Sequence, residues 1–259
     1  MQANAGSKRD GMSVSLTAAI TRTLSWFGFE ARKAPRHGKL SIPDAELYAP
    51  LFSPWKGHGE FAEYLELAQP HTLVSPDRLY VLFSLAQNAV QLHGDFWECG
   101  VYKGGTARML AEFVRRKARR EVKLHLFDTF AGMPETEIGM DVHRKGDFAD
   151  TSLDAVKQVV GNEERVEFHP GWIPESFRGI PDRPIALAHV DVDIYRSVWD
   201  CCERIYPSLP VGGAMVFDDY GFPTCPGARK AVDEFFIGRP ETPIILGTGQ
   251  ALAIRLAAG

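Results

Sequence analysis

The stretch DFWECGVYKGGTARML, residues 95–110, joins a short apolar run to a glycine-rich turn and then to a run with helical spacing. The run DFWEC predicts a β-strand, and Gly100, Gly104 and Gly105 predict a tight turn that leads into a helix at about 105–120. The same order of strand, turn and helix recurs towards the end of the chain. Strands that alternate with helices predict an α/β fold with a doubly wound, largely parallel sheet.

Further strands are predicted at VKLHLF, RVEFH, PIALAHV and GGAMVF, and further helices near 152–160, 196–206 and 227–237. The last two apolar runs leave almost no room for a crossover helix. We therefore expect Ile244–Leu246 and Leu252–Leu256 to form an antiparallel hairpin at the C-terminal end of the sheet. A parallel sheet that ends in such a hairpin is the pattern of class I methyltransferases.

The first third of the chain has a different pattern, with apolar residues at helical spacing and no strands. One helix is predicted over Val14–Phe29, with an apolar face that packs on its own domain or on a second subunit, and two more near 60–68 and 76–92. We therefore divide the chain into a helical N-terminal cap, residues 1–93, and a ligand-binding core, residues 94–259. The cap is expected to serve in oligomerisation and in shaping the substrate pocket.

Composition argues against several classes of partner. The net charge is −4 in 259 residues, so no basic field is available to attract nucleic acid. The basic run FVRRKARREVK near a helix end is explained by a solvated face and the helix dipole. No segment offers the roughly 18 consecutive apolar residues of a membrane span, and the spacing of the four cysteines predicts free thiols. We expect a cytoplasmic enzyme with neither a membrane nor a nucleic-acid partner.

Acidic residues follow two of the predicted strands. Asp191 and Asp193 come after PIALAHV, and Asp218 and Asp219 come after GGAMVF. In open α/β sheets, ligands bind outside the carboxyl ends of the strands. Adjacent buried carboxylates repel one another unless a cation or a proton intervenes, and hard cations such as Mg²⁺ select oxygen ligands. A divalent-cation site is therefore predicted, with a solvated strand end or helix-cap acids as the alternative for Asp191 and Asp193.

The turn after the first strand suits a ligand without phosphate. Glu98 lies at the end of that strand, and the glycine spacing differs from the G-x-G-x-x-G of dinucleotide binders. Asp128 ends the next strand, in LHLFDTFAGMP, where an acid can accept hydrogen bonds from both hydroxyls of a ribose. These features fit S-adenosylmethionine, which carries an ammonium, a carboxylate, a ribose and an adenine. A plain strand-to-helix turn that needs glycine is the alternative.

The segment from Thr129 to about Asp150 is rich in glycine and charge and has no clear periodicity, so we interpret it as a lid over the substrate. For His143, inside this segment, a solvated loop side chain and a substrate contact are the two alternatives. For His189, beside Asp191, a role as a base is one alternative, but a strand residue that faces away from Val190 is expected to pack in the sheet or to make a single hydrogen bond.

Five ordered segments between about Thr72 and Phe236 resemble the macrocin O-methyltransferase family: DFWECGVYKGGTARML, LFDTFAGMPE, DFADTSLDAVKQ, HVDVDIYRSV and PVGGAMVFDDYGFPTCPGARKAVDEFF. Members of this family methylate sugar hydroxyls of macrolide and aminocoumarin natural products. The resemblance implies a class I methyltransferase fold, S-adenosylmethionine as methyl donor, a divalent cation that is usually magnesium, and commonly a homodimer. It also implies a small-molecule natural product as acceptor.

The resemblance implies roles for single residues as well. Asp191, Asp218 and Asp219 match the metal ligands, and Asp193 matches the general base. The positions assigned to the donor site are Glu98, Gly100, Tyr102, Gly104, Asp128, Thr129, Ser152, Gly171, Trp172 and Asp191. Two alternatives to an O-methyltransferase stay open, namely an oxidoreductase or hydroxylase-associated protein on the same fold, and a donor-binding module without activity.

Overall fold

A central sheet of seven strands organises the computed structural model, which describes residues 52–119, 121–161 and 164–256. The strands are β1 Asp95–Cys99, β2 Leu124–Asp128, β3 Val166–Pro170, β4 Ile185–Val190, β5 Ala214–Phe217, β6 Ile244–Ile245 and β7 Ala251–Ile254. Their order across the sheet is β3-β2-β1-β4-β5-β7-β6. Strands β1 to β5 are parallel, and β7 runs antiparallel to both β5 and β6. The predicted doubly wound sheet with a C-terminal hairpin is confirmed.

Six α-helices accompany the sheet within the described ranges: α1 Phe61–Ala68, α2 Pro76–Ala89, α3 Gly105–Lys117, α4 Leu153–Val160, α5 Tyr195–Ile205 and α6 Pro226–Phe235. Each corresponds to a helix predicted from apolar periodicity, with ends that differ by up to three residues. The helix predicted over Val14–Phe29 lies outside the described residues. None of the described helices has the length and apolar character that crossing a membrane requires.

The sheet separates two apolar cores, because successive side chains of a strand point to opposite faces. Leu124 and Leu126 of β2 belong to the core that α1, α2 and α3 cover, whereas Trp97 of β1 and Phe127 of β2 belong to the core under α5 and α6. All five residues of β1 and all six of β4 are buried. This burial on both faces is typical of the central strands of a parallel sheet.

The helices α1 and α3 pack closely, and one glycine makes this possible. A Cβ atom on Gly105, the first residue of α3, would lie 2.4 Å from the carbonyl oxygen of Ala68, which no side chain tolerates. The basic end of α3 is also paired to this region, since Arg116 forms ion pairs with Glu63 of α1 and with Glu112. The side chain of Glu112 also accepts from Arg115.

The register of the parallel strands brings the predicted site residues together. Val190 of β4 pairs with Phe217 of β5, so the loops that begin at Asp191 and Asp218 leave the sheet side by side. The backbone N–H of Asp218 donates to the carbonyl of Val190 at 2.9 Å and continues the ladder. Glu98 of β1 lies beside His189 in the neighbouring strand. The carboxyl ends of β1, β2, β4 and β5 therefore present acidic residues at one edge.

The four cysteines are free thiols, as their spacing predicts, and the structure shows that all four are buried. The boundary between cap and core at residue 93 stays a prediction.

Candidate active site

A cavity of about 350 Å³ opens at the carboxyl ends of the strands. This volume falls within the range of small-molecule sites, about 300–1,000 Å³. Most of the residues assigned to a site from the sequence line it, namely Glu98, Gly100, Tyr102, Asp128, Thr129, Gly171, Trp172, Asp191, Asp193, Asp218 and Asp219.

Two of the residues predicted to bind the donor, Gly104 and Ser152, do not line this cavity. Both lie at helix N-termini instead. Gly104 has a φ of +86° and ends the turn directly before α3. Ser152 is the N-cap of α4, where its hydroxyl accepts a hydrogen bond from the N–H of Ala155 at 3.2 Å. Such capping satisfies a backbone donor that has no partner within the helix.

Gly100 is required by a close approach between two backbone segments. Its φ is +86°, and a Cβ atom there would lie 1.7 Å from the carbonyl oxygen of Asp191. The N–H of Asp191 in turn donates to the carbonyl of Cys99 at 2.8 Å. The turn after β1 thus rests directly on the loop that carries the acidic residues, and the glycine serves this contact as well as access for a ligand.

Asp128 holds the same turn in place through both of its carboxylate oxygens. Oδ2 accepts from the N–H groups of Val101 and Tyr102 at 2.7 and 3.0 Å, and Oδ1 accepts from the N–H of Phe130 at 2.7 Å. A carboxylate offers about four acceptor positions. The protein backbone therefore already uses three of them, and the hydroxyl of Thr129 makes a long contact with Oδ1 at 3.4 Å. About one strong hydrogen bond to a ligand remains possible. From the sequence alone, Asp128 is expected to accept hydrogen bonds from both hydroxyls of a ribose.

Glu98 and His189 form a buried pair beneath the cavity. Nδ1 of His189 lies 3.2 Å from Oε1 of Glu98, and its Nε2 lies 3.5 Å from Oδ1 of Asp218. Burial raises the pKa of Glu98. Burial would lower the pKa of His189, but Asp218 and Glu98 outweigh this effect and raise it well above the usual value. Oε2 of Glu98 is buried and has no hydrogen-bond partner among the described residues, so it can accept a donor from a ligand.

The four aspartates place several negative charges within a small volume. Asp191, Asp218 and His189 each offer a ligand atom within 4.8 Å of the other two. Burial, reinforced by the charge of Asp218, raises the pKa of Asp191 well above its usual range. Burial and the charges of Asp193 and Asp191 likewise raise the pKa of Asp219 well above its usual range. Its Oδ2 accepts from the N–H of Asp193 at 2.9 Å. The predicted ligands Asp191 and Asp218 thus come together with His189, whereas the described residues of this group do not include Asp219. The carboxylate oxygens of Asp191 and Asp218 suit a hard divalent cation.

Arg78 of α2 supplies one positive charge to this cluster. Its guanidinium forms an ion pair with Oδ2 of Asp218 and lies 4.8 Å from the centre of the Phe222 ring. Gln250, from the turn before β7, donates to Oδ1 of Asp218 at 2.8 Å. Burial alone would raise the pKa of Asp218, but the nearby His189 and Arg78 outweigh burial and lower it. The negative charge of Asp218 is therefore stabilised by neighbouring cationic groups, whereas the pKa values of the other three aspartates are raised.

Asp193 has a strained backbone conformation. Its φ is +59°, a left-handed conformation that few residues other than glycine adopt and that costs on the order of 1–3 kcal/mol. Its Oδ1 accepts from the thiol of Cys225 at 3.3 Å and lies 3.6 Å from Nε2 of His143. Burial raises its pKa. The loop thus holds this carboxylate towards the cavity and away from the extended path of β4.

Residues of the segment 129–150, the predicted lid, line the cavity, among them Met133, His143 and Phe148. Oδ1 of Asp141 accepts from the N–H of Tyr195 at the start of α5, and Oδ2 accepts from the N–H of Glu137, both at 2.9 Å. His143 lines the cavity with only 18% of its side chain exposed, which is not the solvated position of an ordinary loop histidine. Whether this segment opens stays a prediction.

The structure adds three residues that contact the aspartates and that the sequence did not indicate as functional: Arg78, Cys225 and Gln250. Arg78 and Gln250 approach Asp218 from α2 and from the loop before β7, elements distant in the sequence. No local spacing identifies such residues. Cys225 follows the second aspartate pair by six residues, but only the turn into α6 brings its thiol to Asp193.

The chain is similar in sequence to known O-methyltransferases. The family model described as Macrocin-O-methyltransferase (TylF) matches residues 66–241. The chain is 30% identical over 181 residues to demethyldecarbamoylnovobiocin O-methyltransferase of Streptomyces niveus. This alignment covers 65% of this chain and 68% of that protein. It is 28% identical over 180 residues to mycinamicin III 3''-O-methyltransferase of Micromonospora griseorubida, covering 64% and 70%.

Solved structures give the same result for the fold. The structure of the O-methyltransferase NovP matches with a TM-score of 0.66 and 27% identity, over 72% of this chain and 83% of that one. The structure of CalS11, a calicheamicin methyltransferase, matches with a TM-score of 0.61 over 87% of this chain and 98% of that one, and at 20% identity it supports the fold alone.

Proposed function

Because the chain belongs to the macrocin O-methyltransferase family, we propose that it transfers the methyl group of S-adenosylmethionine to a hydroxyl of a small natural product, with a sugar hydroxyl as acceptor and Mg²⁺ as metal. The observation that carries this proposal is the wall of the cavity. There Glu98 and Asp128 lie at the ends of the neighbouring strands β1 and β2, and four aspartates follow the next two strands of the sheet, β4 and β5. Glu98 and Asp128 suit the binding of the methyl donor, and the four aspartates suit the binding of a metal and of the acceptor.

The donor site follows from the turn after β1. The unpartnered Oε2 of Glu98 supports a role as acceptor for the ammonium of the donor, since a buried acceptor gains most from a charged partner. The remaining acceptor position of Asp128 would bind one ribose hydroxyl. Gly171 and Trp172, at the end of β3, would lie along the adenine, and the indole, 55% exposed, is available for stacking.

Asp191, Asp218 and Asp219 would hold the metal, since they supply the carboxylate oxygens that Mg²⁺ prefers. When bound, Mg²⁺ would make the acceptor hydroxyl more acidic and favour its ionised form. Arg78 already neutralises part of the charge of Asp218 and would have to release or share that carboxylate.

Asp193 would take the proton of the acceptor hydroxyl as general base. Its loop holds the carboxylate at the cavity wall, with Cys225 and His143 within 3.6 Å of Oδ1. Orientation of the acceptor oxygen in line with the donor methyl group supplies much of the remaining acceleration. Residues of the cap face the same cavity and would contact the acceptor, namely His71, Thr72, Leu73, Val74 and Arg78.

We also propose a homodimer and a cytoplasmic location. The first follows the family resemblance, and light scattering of the purified full chain tests it. The second is supported by the four free, buried thiols, which fit a reducing compartment.

A transfer assay with isotopically labelled S-adenosylmethionine and a panel of glycosylated natural products tests the proposed function. Label should appear in an acceptor that carries a free sugar hydroxyl and should be absent from the deoxygenated analogue. Calorimetry with S-adenosylhomocysteine and with NAD separates the alternatives. Binding of NAD alone would favour an oxidoreductase, and donor binding without transfer to any acceptor would favour a binding module.

A further inference from the structure

Two histidines and a glutamate meet on the edge strand β3 and its neighbour β2, outside the cavity. In the parallel register of β2 and β3, His125 pairs with Glu167 and Phe127 pairs with His169. Alternate residues of a strand share one face, so His125, Glu167 and His169 point to the same side of the sheet. Nδ1 of His125 lies 2.9 Å from Nε2 of His169 and 3.5 Å from Oε2 of Glu167. Nε2 of His169 lies 3.9 Å from that same oxygen.

These three spacings are close to those of a tetrahedral zinc site. Zinc binds histidine nitrogen and carboxylate oxygen at about 2.0–2.2 Å, which places neighbouring ligand atoms about 3.3–3.5 Å apart in a tetrahedron. The spacings in the structure lie on both sides of this value, and movements of a few tenths of an ångström would equalise them. Two nitrogens and one oxygen also form a donor set for a transition ion, whereas Mg²⁺ prefers oxygen alone.

A buried carboxylate orients the first histidine. Nε2 of His125 lies 3.5 Å from Oδ2 of Asp95, which is 1% exposed. Arg183 donates to both oxygens of Asp95 at 2.7 and 3.1 Å, and the N–H of Lys123 donates to Oδ1 at 3.0 Å. Metal-binding histidines almost always direct their second nitrogen to such a group, which fixes the tautomer. With its proton on Nε2, His125 presents the lone pair of Nδ1 to the cluster.

The other two side chains are available for coordination. Burial, together with the neighbouring His125, lowers the pKa of His169 to about 4, so its imidazole is neutral near neutral pH. Lys123 pairs with Oε1 of Glu167 and leaves Oε2 facing the histidines. The side chain of His125 is buried, whereas those of His169 and Glu167 are 16% and 35% exposed, which gives an ion a route from solvent.

We propose that His125, Glu167 and His169 form a zinc-binding site that is separate from the aspartate cluster and ties the edge strand β3 to β2. Water would take the fourth position, on the exposed side. The strand that the ion would hold continues directly into Gly171 and Trp172 of the cavity wall. The site would therefore stabilise the strand that leads to this part of the wall, without contacting the reacting groups.

Equilibrium dialysis of the full chain against Zn²⁺ tests this proposal, with millimolar Mg²⁺ present to occupy the aspartate cluster. Wild type and the control Asp218→Asn should each bind one zinc ion per chain, whereas His169→Gln should bind at least tenfold more weakly. Co²⁺ should give the visible absorption bands of a tetrahedral ion in the same two proteins. At a hundredfold excess over Kd, zinc should raise the Tm of wild type by about 5–10 °C.

Equal zinc affinity in wild type and His169→Gln would overturn the proposal, as would absence of zinc from wild type or its loss in Asp218→Asn. The pair His125 and His169 would then be a hydrogen-bonded feature of the sheet only. Circular dichroism and the metal-free Tm check that the variant folds. If His169→Gln does not fold, Glu167→Gln, at a more exposed position, takes its place, and an unchanged zinc affinity in that variant would refute the site equally.

Discussion

Replacement of Asp193 by asparagine separates a general base from a metal ligand. Asparagine tolerates the left-handed conformation at φ +59°, and its side-chain oxygen can still accept from the thiol of Cys225. The backbone N–H that donates to Asp219 is also retained. We therefore expect a loss of stability below about 1 kcal/mol, measured by urea denaturation, because no cavity and no unpaired group is created.

The chemical effect should be much larger than this. Loss of a general base lowers the rate of the proton-transfer step by about 10²–10⁴, which corresponds to about 2.7–5.4 kcal/mol of activation free energy. Single-turnover methyl transfer measures this step directly, and calorimetry with S-adenosylhomocysteine should show unchanged donor affinity. Asp218→Asn is the matched control. It removes a proposed metal ligand, so added Mg²⁺ should restore part of its rate.

Two results would refute the assignment of Asp193. One is recovery of the Asp193→Asn rate at high Mg²⁺, which would make this carboxylate a ligand. The other is a fall of less than about tenfold in the single-turnover rate, which would mean that the acceptor loses its proton without it.

Three further predictions concern the donor, the metal and the fold. Asp128→Ala removes the acceptor for three backbone N–H groups and for the proposed ribose hydroxyl. Calorimetry should therefore show that S-adenosylhomocysteine binds about 1.5–3 kcal/mol more weakly. An unchanged Kd would contradict the donor assignment. A chelator should abolish turnover and leave S-adenosylhomocysteine binding intact; full activity in excess chelator would exclude the metal. Hydrogen bonds from Arg115, with Arg116, lower the pKa of Glu112 to about 2. Because the pKa is lower in the folded state, the stabilisation is complete above the unfolded value near 4.5 and is lost as the pH falls towards 2. Glu112→Gln should therefore lower the free energy of unfolding by about 1–2 kcal/mol near neutral pH. This figure is smaller than the pKa shift alone implies, because solvent screens the partly exposed arginines. The difference in stability from wild type should shrink in acid.

The fold could be predicted from the sequence because its signals are local. Apolar runs of strand length, glycine turns and helical spacing each lie within about a dozen residues, and the short connection before β7 allowed only a hairpin. The aspartates were predictable for the same reason, since the end of a strand is visible in the sequence and the carboxyl ends of parallel strands share one edge.

The rest of the site depends on distances that no local pattern encodes. The backbone partners of Asp128 follow from how two turns meet, and Arg78 reaches Asp218 across 140 positions of sequence. His125 and His169 belong to different strands, and only the register of β2 and β3 makes them neighbours. Spacing rules identify elements and their ends, whereas the partners of a polar side chain require the assembled tertiary structure.

If the aspartate cluster holds the proposed ion, the contact between Arg78 and Asp218 links binding of the acceptor to binding of the ion. A guanidinium and a divalent cation compete for the same carboxylate, so any acceptor that draws Arg78 away from Asp218 strengthens the affinity for the ion. By reciprocity, the ion strengthens the affinity for that acceptor by the same factor. Cooperative binding, in which the proposed acceptor and the proposed ion are each weak alone and tight together, would then arise from one arginine on a helix outside the loops that carry the aspartates.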